Sequence, residues 1–252
     1  MKSTIRALAA LVVAGAVAGC ATGRTGPKLP SFEDPVGSVE SFTRKTDRAH
    51  RVIQRDLGRL EELQKSLRQP PEGLLAEPFP LDLFRHVLMA CLNARTSTEV
   101  SRGEDTEQLQ CQPRFVDELK TAVDDRVPDR REATMAVLEK ADAFQRLRGR
   151  LRRRLTKIPR LVRTNRDTLA SRRAELANRK ESLQNQKTEY STSRWREVSR
   201  RLAAYRNALN KLEHATNQLD TSDEVWPERL EKINHDLYLS IARRWTRPES
   251  DA

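Results

Sequence analysis

The stretch Asp129 to Ser222, DRREATMAVLEKADAFQRLRGRLRRRLTKIPRLVRTNRDTLASRRAELANRKESLQNQKTEYSTSRWREVSRRLAAYRNALNKLEHATNQLDTS, runs for over ninety residues with one glycine, Gly149, and one proline, Pro159. Leu, Ala, Arg, Lys, Glu and Gln dominate the remainder, which is helix-forming composition on the scale of a coiled coil. Its apolar residues Val137, Ala141, Phe144, Leu147, Leu151, Leu155, Ile158 and Val162 keep helical phase through Pro159. A kink is therefore expected at the proline rather than a reversal. Further on, Leu169, Leu176, Leu183 and Tyr190 recur every seven residues, but the companion seam positions are Asn165, Arg172, Arg179 and Gln186. Half of that seam is polar, which predicts a weakly held pairing or a face that meets water or a charged partner. The stripe restarts in a new phase at Trp195, Val198, Leu202, Tyr205, Leu209 and Leu212, so a turn is expected at Ser191-Thr192-Ser193.

Working outward, a final helix is predicted after Ser222, with Pro227 in its first turn and Leu230, Ile233, Leu237, Ile241 and Trp245 on one face. Upstream, Ala49, Ile53, Leu60, Leu63 and Leu67 predict a helix over 38–69 that ends at Pro70-Pro71. Residues 81–94 form a more apolar helix, with Phe84, Val87, Leu88, Cys91 and Leu92 facing a core; 96–112 is a polar loop, and 115–123 a short helix ending before Pro128. Only 5% of the chain is aromatic and a third is charged. That balance fits narrow buried stripes better than a thick central core. The expected fold is all-α: an elongated bundle of long, coiled-coil-like helices with a short helical subregion tied by a disulfide.

Arg146 to Lys180 holds fourteen Arg and Lys against Asp167 and Glu175, whereas the whole chain carries only +11. The basicity thus belongs to one helical segment. At 100° per residue Leu147, Leu151, Leu155, Ile158, Leu161 and Val162 share a sector of about 120°. Arg146, Arg148, Arg150, Arg152, Arg153, Arg154, Lys157 and Arg160 spread round the rest and are the candidate anion- or partner-binding residues. Arginine's planar fork pairs a carboxylate or phosphate at two points. The alternative is that these arginines neutralise acidic helices of the same chain, such as those bearing Glu61/Glu62 or Glu224/Glu228.

The N-terminus bears on the compartment. Lys2 and Arg6 precede an apolar run, Ala7 to Ala18, too short for a stable membrane span, which leads into Val17-Ala18-Gly19-Cys20. This pattern resembles the lipobox of bacterial lipoproteins. The resemblance covers only the signal and implies cleavage after Gly19, acylation of Cys20 (palmitate among the chains) and durable anchoring. Residues 1–19 are then a signal peptide, 20–37 the lipid anchor and a Gly/Pro-rich tether, 38–128 and 129–246 two helical regions, and 247–252 a tail. Ala21-Thr22 after the cysteine looks like the signal passed to the outer membrane, periplasmic face, ahead of the inner membrane. An exported chain keeping two further thiols is expected to pair Cys91 with Cys111.

Catalytic signals are sparse. His50, His86, His214 and His235 sit on separate segments without metal-ligand spacing, and no Gly-rich phosphate loop or nucleophile elbow occurs. No catalytic residue, metal or cofactor is expected, and the chain reads as a non-enzyme. Nucleic acid, the usual partner of a basic helix, is set aside by the lipoprotein signal. What remains is a lipid-anchored scaffold of the cell envelope that contacts peptidoglycan or an acidic envelope protein. The alternative is an adaptor for the periplasmic part of an envelope sensor or secretion machine. Whether the long helices fold back on their own chain or pair in a homo-oligomer is left open.

Overall fold

The computed structural model describes residues 29–93 and 113–246. The described residues are all-α: α1 Glu33–Leu67, α2 Leu81–Asn93, α3 Pro113–Arg126, α4 Arg131–Leu155, α5 Ile158–Asn185 and α6 Thr192–Arg244, with single 3-10 turns at Pro128–Arg130 and Lys187–Glu189. None of these helices is long and apolar enough to cross a membrane.

Contacts between distant residues fix the topology. Gln64 Nε2 donates to the Ile233 carbonyl at 2.8 Å, Ser240 Oγ to that of Arg68 at 3.0 Å, and His50 Nε2 lies 3.1 Å from Ser222 Oγ. Residue numbers rise together along these pairs, so α1 and α6 run parallel. Arg152 meets Glu231, Arg173 meets Glu213, and Glu175 accepts from the Tyr205 hydroxyl. There the numbers run oppositely, so α4 and α5 descend antiparallel to α6. The result is an up-down-up bundle of three long rods, with α2 and α3 inserted between the first two and packed at one end. At 53 residues α6 is about 80 Å long and sets the length of the molecule. The fold-back is intramolecular.

Two apolar clusters fill the bundle. The larger one, at the α2 and α3 end, gathers Leu57 and Leu60 of α1, Phe84 and Leu88 of α2, Phe144 of α4, and Leu237 with Trp245 of the α6 end. Trp245 stacks on Phe84 at 5.5 Å and donates its indole N–H to the Leu67 carbonyl at 3.0 Å. The smaller cluster, at the hairpin end, joins Phe32, Val39, Leu169, Leu183, Val198, Tyr205 and Leu209. Between them lies a polar layer. Asn165 is fully buried and its amide NH2 donates to Thr46 Oγ1 at 2.8 Å and to Thr216 Oγ1 at 3.1 Å. Each threonine spends its own proton on the carbonyl four residues back, Phe42 or Leu212. The polar seam position is thus a hydrogen-bonded crosslink among all three rods rather than a weak joint: both NH2 protons are placed, while Asn165 Oδ1 has no partner among the described residues.

The two helical regions, 38–128 and 129–246, pack on each other, α1 lying along α4 and α6 for most of its length. Several expectations need correction. The first helix starts at Glu33, not residue 38, so the end of the expected tether is packed: Phe32 and Pro35 are buried. Proline is tolerated in a first turn, where its missing N–H costs nothing, and Glu33 with Asp34 suits the positive end of the helix dipole. Pro227 lies inside α6, which passes Ser222 without a break. Trp226 and Leu230, both buried, hold the helix to its neighbours on either side of that proline. The reversal begins at Gln186, before the serines; Tyr190 is extended, and Ser191 caps α6 by accepting from the Arg194 N–H. By contrast, the chain continues in one direction through Pro159. The five expected core residues of α2 are all buried. Of the cysteines, Cys91 is buried there, whereas Cys20 and Cys111 lie outside the described residues, as do the signal peptide, the 96–112 loop and the tail.

His50 is buried against Trp226, ring centroids 5.2 Å apart, and desolvation holds its pKa below the ordinary 6.5, with nearby Asp47 opposing. Glu61 is held below the usual 4.5 by its hydrogen bonds from Arg229, burial opposing. In both cases the unfolded chain binds more protons than the folded one as pH drops, so stability falls on acidification. Urea midpoints should therefore decline in two stages, first below pH 6.5 and again below 4.5. His50→Gln should remove the first stage only; a wild-type midpoint flat from pH 7 to 5 would contradict the burial argument.

Candidate anion-binding surface

The eight basic residues singled out in the sequence divide into two groups. Arg146 pairs with Asp142 one turn back at 2.8 Å; Arg152 reaches Glu231 of α6 at 2.6 Å; Arg148 donates to Asn234 Oδ1. Arg154 donates to Asp56 of α1, a carboxylate only 5% exposed. Those four are intramolecular ties, and their acceptors are not the acidic residues the sequence suggested. A buried carboxylate on α1 needs a cation beside it, and Arg154 supplies one where α4 ends.

Arg150, Arg153, Lys157 and Arg160 behave otherwise. Among the described residues their side chains make no hydrogen bond or ion pair, and all four are exposed. They are spaced three, four and three residues apart, which lines side chains along one helical face. That face is opposite the one carrying Leu147, Leu151, Leu155 and Ile158 into the core. The stripe straddles the break between α4 and α5. Pro159 has no N–H to offer the Leu155 carbonyl, so α4 stops at Leu155, and Thr156 and Lys157 form a turn closed by N–H bonds to Arg152 and Arg154 at 3.1 and 3.0 Å.

Beside this break a groove of about 400 Å³ opens between α1 and the α4–α5 junction. Its floor is apolar, made by Ala49, Val52, Ile53, Ile158 and Leu161, and its banks carry Lys45 and Arg48 on one side and Arg154 and Lys157 on the other. Lys45 and Arg48 escaped the sequence reading, which used only the apolar positions of this helix. The available signal was their spacing with Ala49 and Val52, at i, i+3, i+4 and i+7, which places two cations at the edge of an apolar row. Cations flanking an apolar floor suit a ligand with a negative group and a short apolar body; the bare stripe alone suits a repeating anion.

The lower half of α5 is more fully neutralised. Arg172 and Arg179 hold Glu175 below the usual carboxylate range, chiefly through the Arg172 hydrogen bond and against burial. Arg166 and Arg173 pair with Asp220 and Glu213 of α6. For metals, no group of three or more His, Cys, Asp or Glu converges among the described residues. His50 and His86 are packed against rings, of Trp226 and Phe115 respectively.

The division into tied and bare arginines is measurable. Arg154→Gln strands the buried Asp56 with only the exposed Arg55 nearby and should cost about 1–3 kcal/mol in denaturant unfolding. Arg153→Gln, one residue away, should change stability by less than about 0.5 kcal/mol. Equal losses at the two positions would refute the division. In comparisons with known proteins the chain matches no family model, no curated protein and no solved structure.

Proposed function

We propose that this protein is a lipid-anchored, non-enzymatic scaffold of the bacterial cell envelope, facing the periplasm from the outer membrane and holding an anionic envelope component on its exposed cation stripe. The observation that carries this reading is the stripe itself: Arg150, Arg153, Lys157 and Arg160, unpaired among the described residues, on one face of a three-helix rod. Four aligned cations repel one another, and folding does nothing to neutralise them, so an anion that bridges them gains from every one. The lipobox-like Val17-Ala18-Gly19-Cys20 supplies the compartment, and the tether it heads joins the rod at the hairpin end. From there Lys157 is about 40 Å from the hairpin turn along α5, at 1.5 Å per residue, so the stripe stands well clear of a membrane at that end.

Peptidoglycan, with carboxylates repeated along a polymer, is the partner that the stripe fits. A second reading, an adaptor for an envelope sensor or secretion machine, is favoured by one feature, the apolar floor of the groove beside the stripe. A glycan strand has little use for Val52 and Leu161, whereas an acidic amphipathic helix would seat on them. The small head of α2 and α3 belongs to the same proposal as a disulfide-tied subregion. Cys91 is buried. With Cys20 taken by acylation, Cys111 is left as its partner, closing a loop worth on the order of 3 kcal/mol on chain entropy alone.

Two measurements test the reading. Cys20→Ala should block incorporation of labelled palmitate and leave the precursor uncleaved; label entering the variant would end the lipoprotein assignment. Replacing Arg150, Arg153, Lys157 and Arg160 with Gln should leave helicity and melting nearly unchanged, because exposed charges contribute little to folding. Co-sedimentation with isolated sacculi should fall about tenfold or more, and wild-type binding should weaken with added salt. Unchanged sedimentation would remove the stripe from the function. Loss caused instead by Val52→Asp, with the stripe intact, would favour the adaptor.

A further inference from the structure

We propose that the α5–α6 hairpin tip is a membrane-contact surface that rests on anionic lipid headgroups beside the acyl anchor. The proposal rests on the lipid-anchor reading above and adds a second point of contact to it.

The position of residues 29–32 is the first argument. Leu29 to Phe32 are clamped to the hairpin: the Pro30 carbonyl accepts from Arg201 at 3.1 Å and that of Ser31 from Arg179 at 3.2 Å. The Arg179 guanidinium also lies 5.3 Å from the Phe32 ring centre, and Phe32 is buried 6.0 Å from Tyr205. Arg179 precedes the end of α5 by six residues and Arg201 follows the start of α6 by nine, so the clamp sits about 10–14 Å from the turn. Nine residues from Cys20 to Leu29 reach about 30 Å when extended. The tether is therefore long enough for the tip to touch the surface in which Cys20 is anchored, and too short to carry the tip far from it.

The chemistry of the tip is the second argument. Tyr190 and Trp195 stand on either side of the turn with ring centres 6.2 Å apart, each only partly buried, and Lys187 Nζ is 5.7 Å from the Trp195 ring. Around them Lys180, Arg194 and Arg196 are exposed and unpaired among the described residues. With Lys187 they make four cations near the turn, against two exposed carboxylates, Glu181 and Glu189. Rings with an apolar body and a polar edge settle at the boundary of headgroups and acyl chains, and flanking Lys and Arg are drawn to anionic lipid. α1 begins at Glu33, below the tip, and among the described residues no third helix covers this end. Trp226 and Trp245 are buried at 4% and 0%, which leaves Trp195 as a reporter of the tip.

The test uses the full-length acylated protein reconstituted into vesicles of phosphatidylcholine, with or without phosphatidylglycerol, each made with and without acyl-brominated lipid. The protein should float with all vesicles. In the anionic ones bromine should quench the Trp195 contribution by roughly half, as expected for an interfacial ring. The quench should vanish in Trp195→Phe and weaken when Lys180, Lys187, Arg194 and Arg196 are changed to Gln or salt is raised. Flotation with no quench difference between wild type and Trp195→Phe overturns the tip contact while leaving the anchor in place. Failure to float overturns both.

Discussion

One buried amide sets the register of the three rods. The Asn165 NH2 group has two protons and gives one to Thr46 of α1 and one to Thr216 of α6, while both threonine hydroxyl protons are used on their own helices. Sliding any rod by a turn, about 5.4 Å, would leave buried donors and acceptors unmatched at a cost of several kcal/mol in total. Apolar stripes cannot enforce this, since a leucine row slipped by one turn still meets leucines. The pairings far from the layer, Arg173 with Glu213 on one side and Arg152 with Glu231 on the other, depend on that register.

The same register decides which arginines are free. Arg152 and Arg153 are adjacent in sequence and chemically identical. Rotation by 100° turns the first toward Glu231 on α6 and the second to open water. Charge that is balanced within the fold contributes rigidity, whereas the stripe from Arg150 to Arg160 keeps its field available to something outside the chain. A segment with fourteen cations is therefore not one uniform basic surface, and its binding capacity is smaller and better defined than its net charge suggests.

Much of the architecture was legible because it follows from periodicity. The apolar phase through Pro159 implied a kink, and α4 and α5 do continue in one direction; the five core positions of α2 follow from spacing alone. What escaped was decided by neighbours. Pro35 and Gly37 looked like tether because nothing local revealed that Phe32 would be pinned under Arg179 and against Tyr205. Pro227 looked like a helix start, but packing of Trp226 and Leu230 carries α6 across it. The seam residue Asn165 read as a weakness because its two partners lie 119 and 51 residues away. Likewise Lys45 and Arg48 gain meaning only when Arg154 and Lys157 appear across the groove from them.

The two apolar clusters are unequal, and this grades stability along the rod. At the α2 and α3 end Phe79, Phe84, Phe144 and Trp245 give a thick core, and the α6 terminus is fastened to α1 by the Trp245 indole and Ser240. The hairpin end has a thinner core, two helices instead of three beyond Glu33 among the described residues, and residues 29–32 held by two arginine hydrogen bonds and one buried ring. Local opening takes least free energy where buried apolar contact is sparse, so the hairpin end should open first. A surface bound at that end and not to the open form would raise its stability by mass action, whereas the same contact made at the head would add little to an already closed core. The fold thus leaves its adaptable end where the tether joins and its rigid end about 80 Å away.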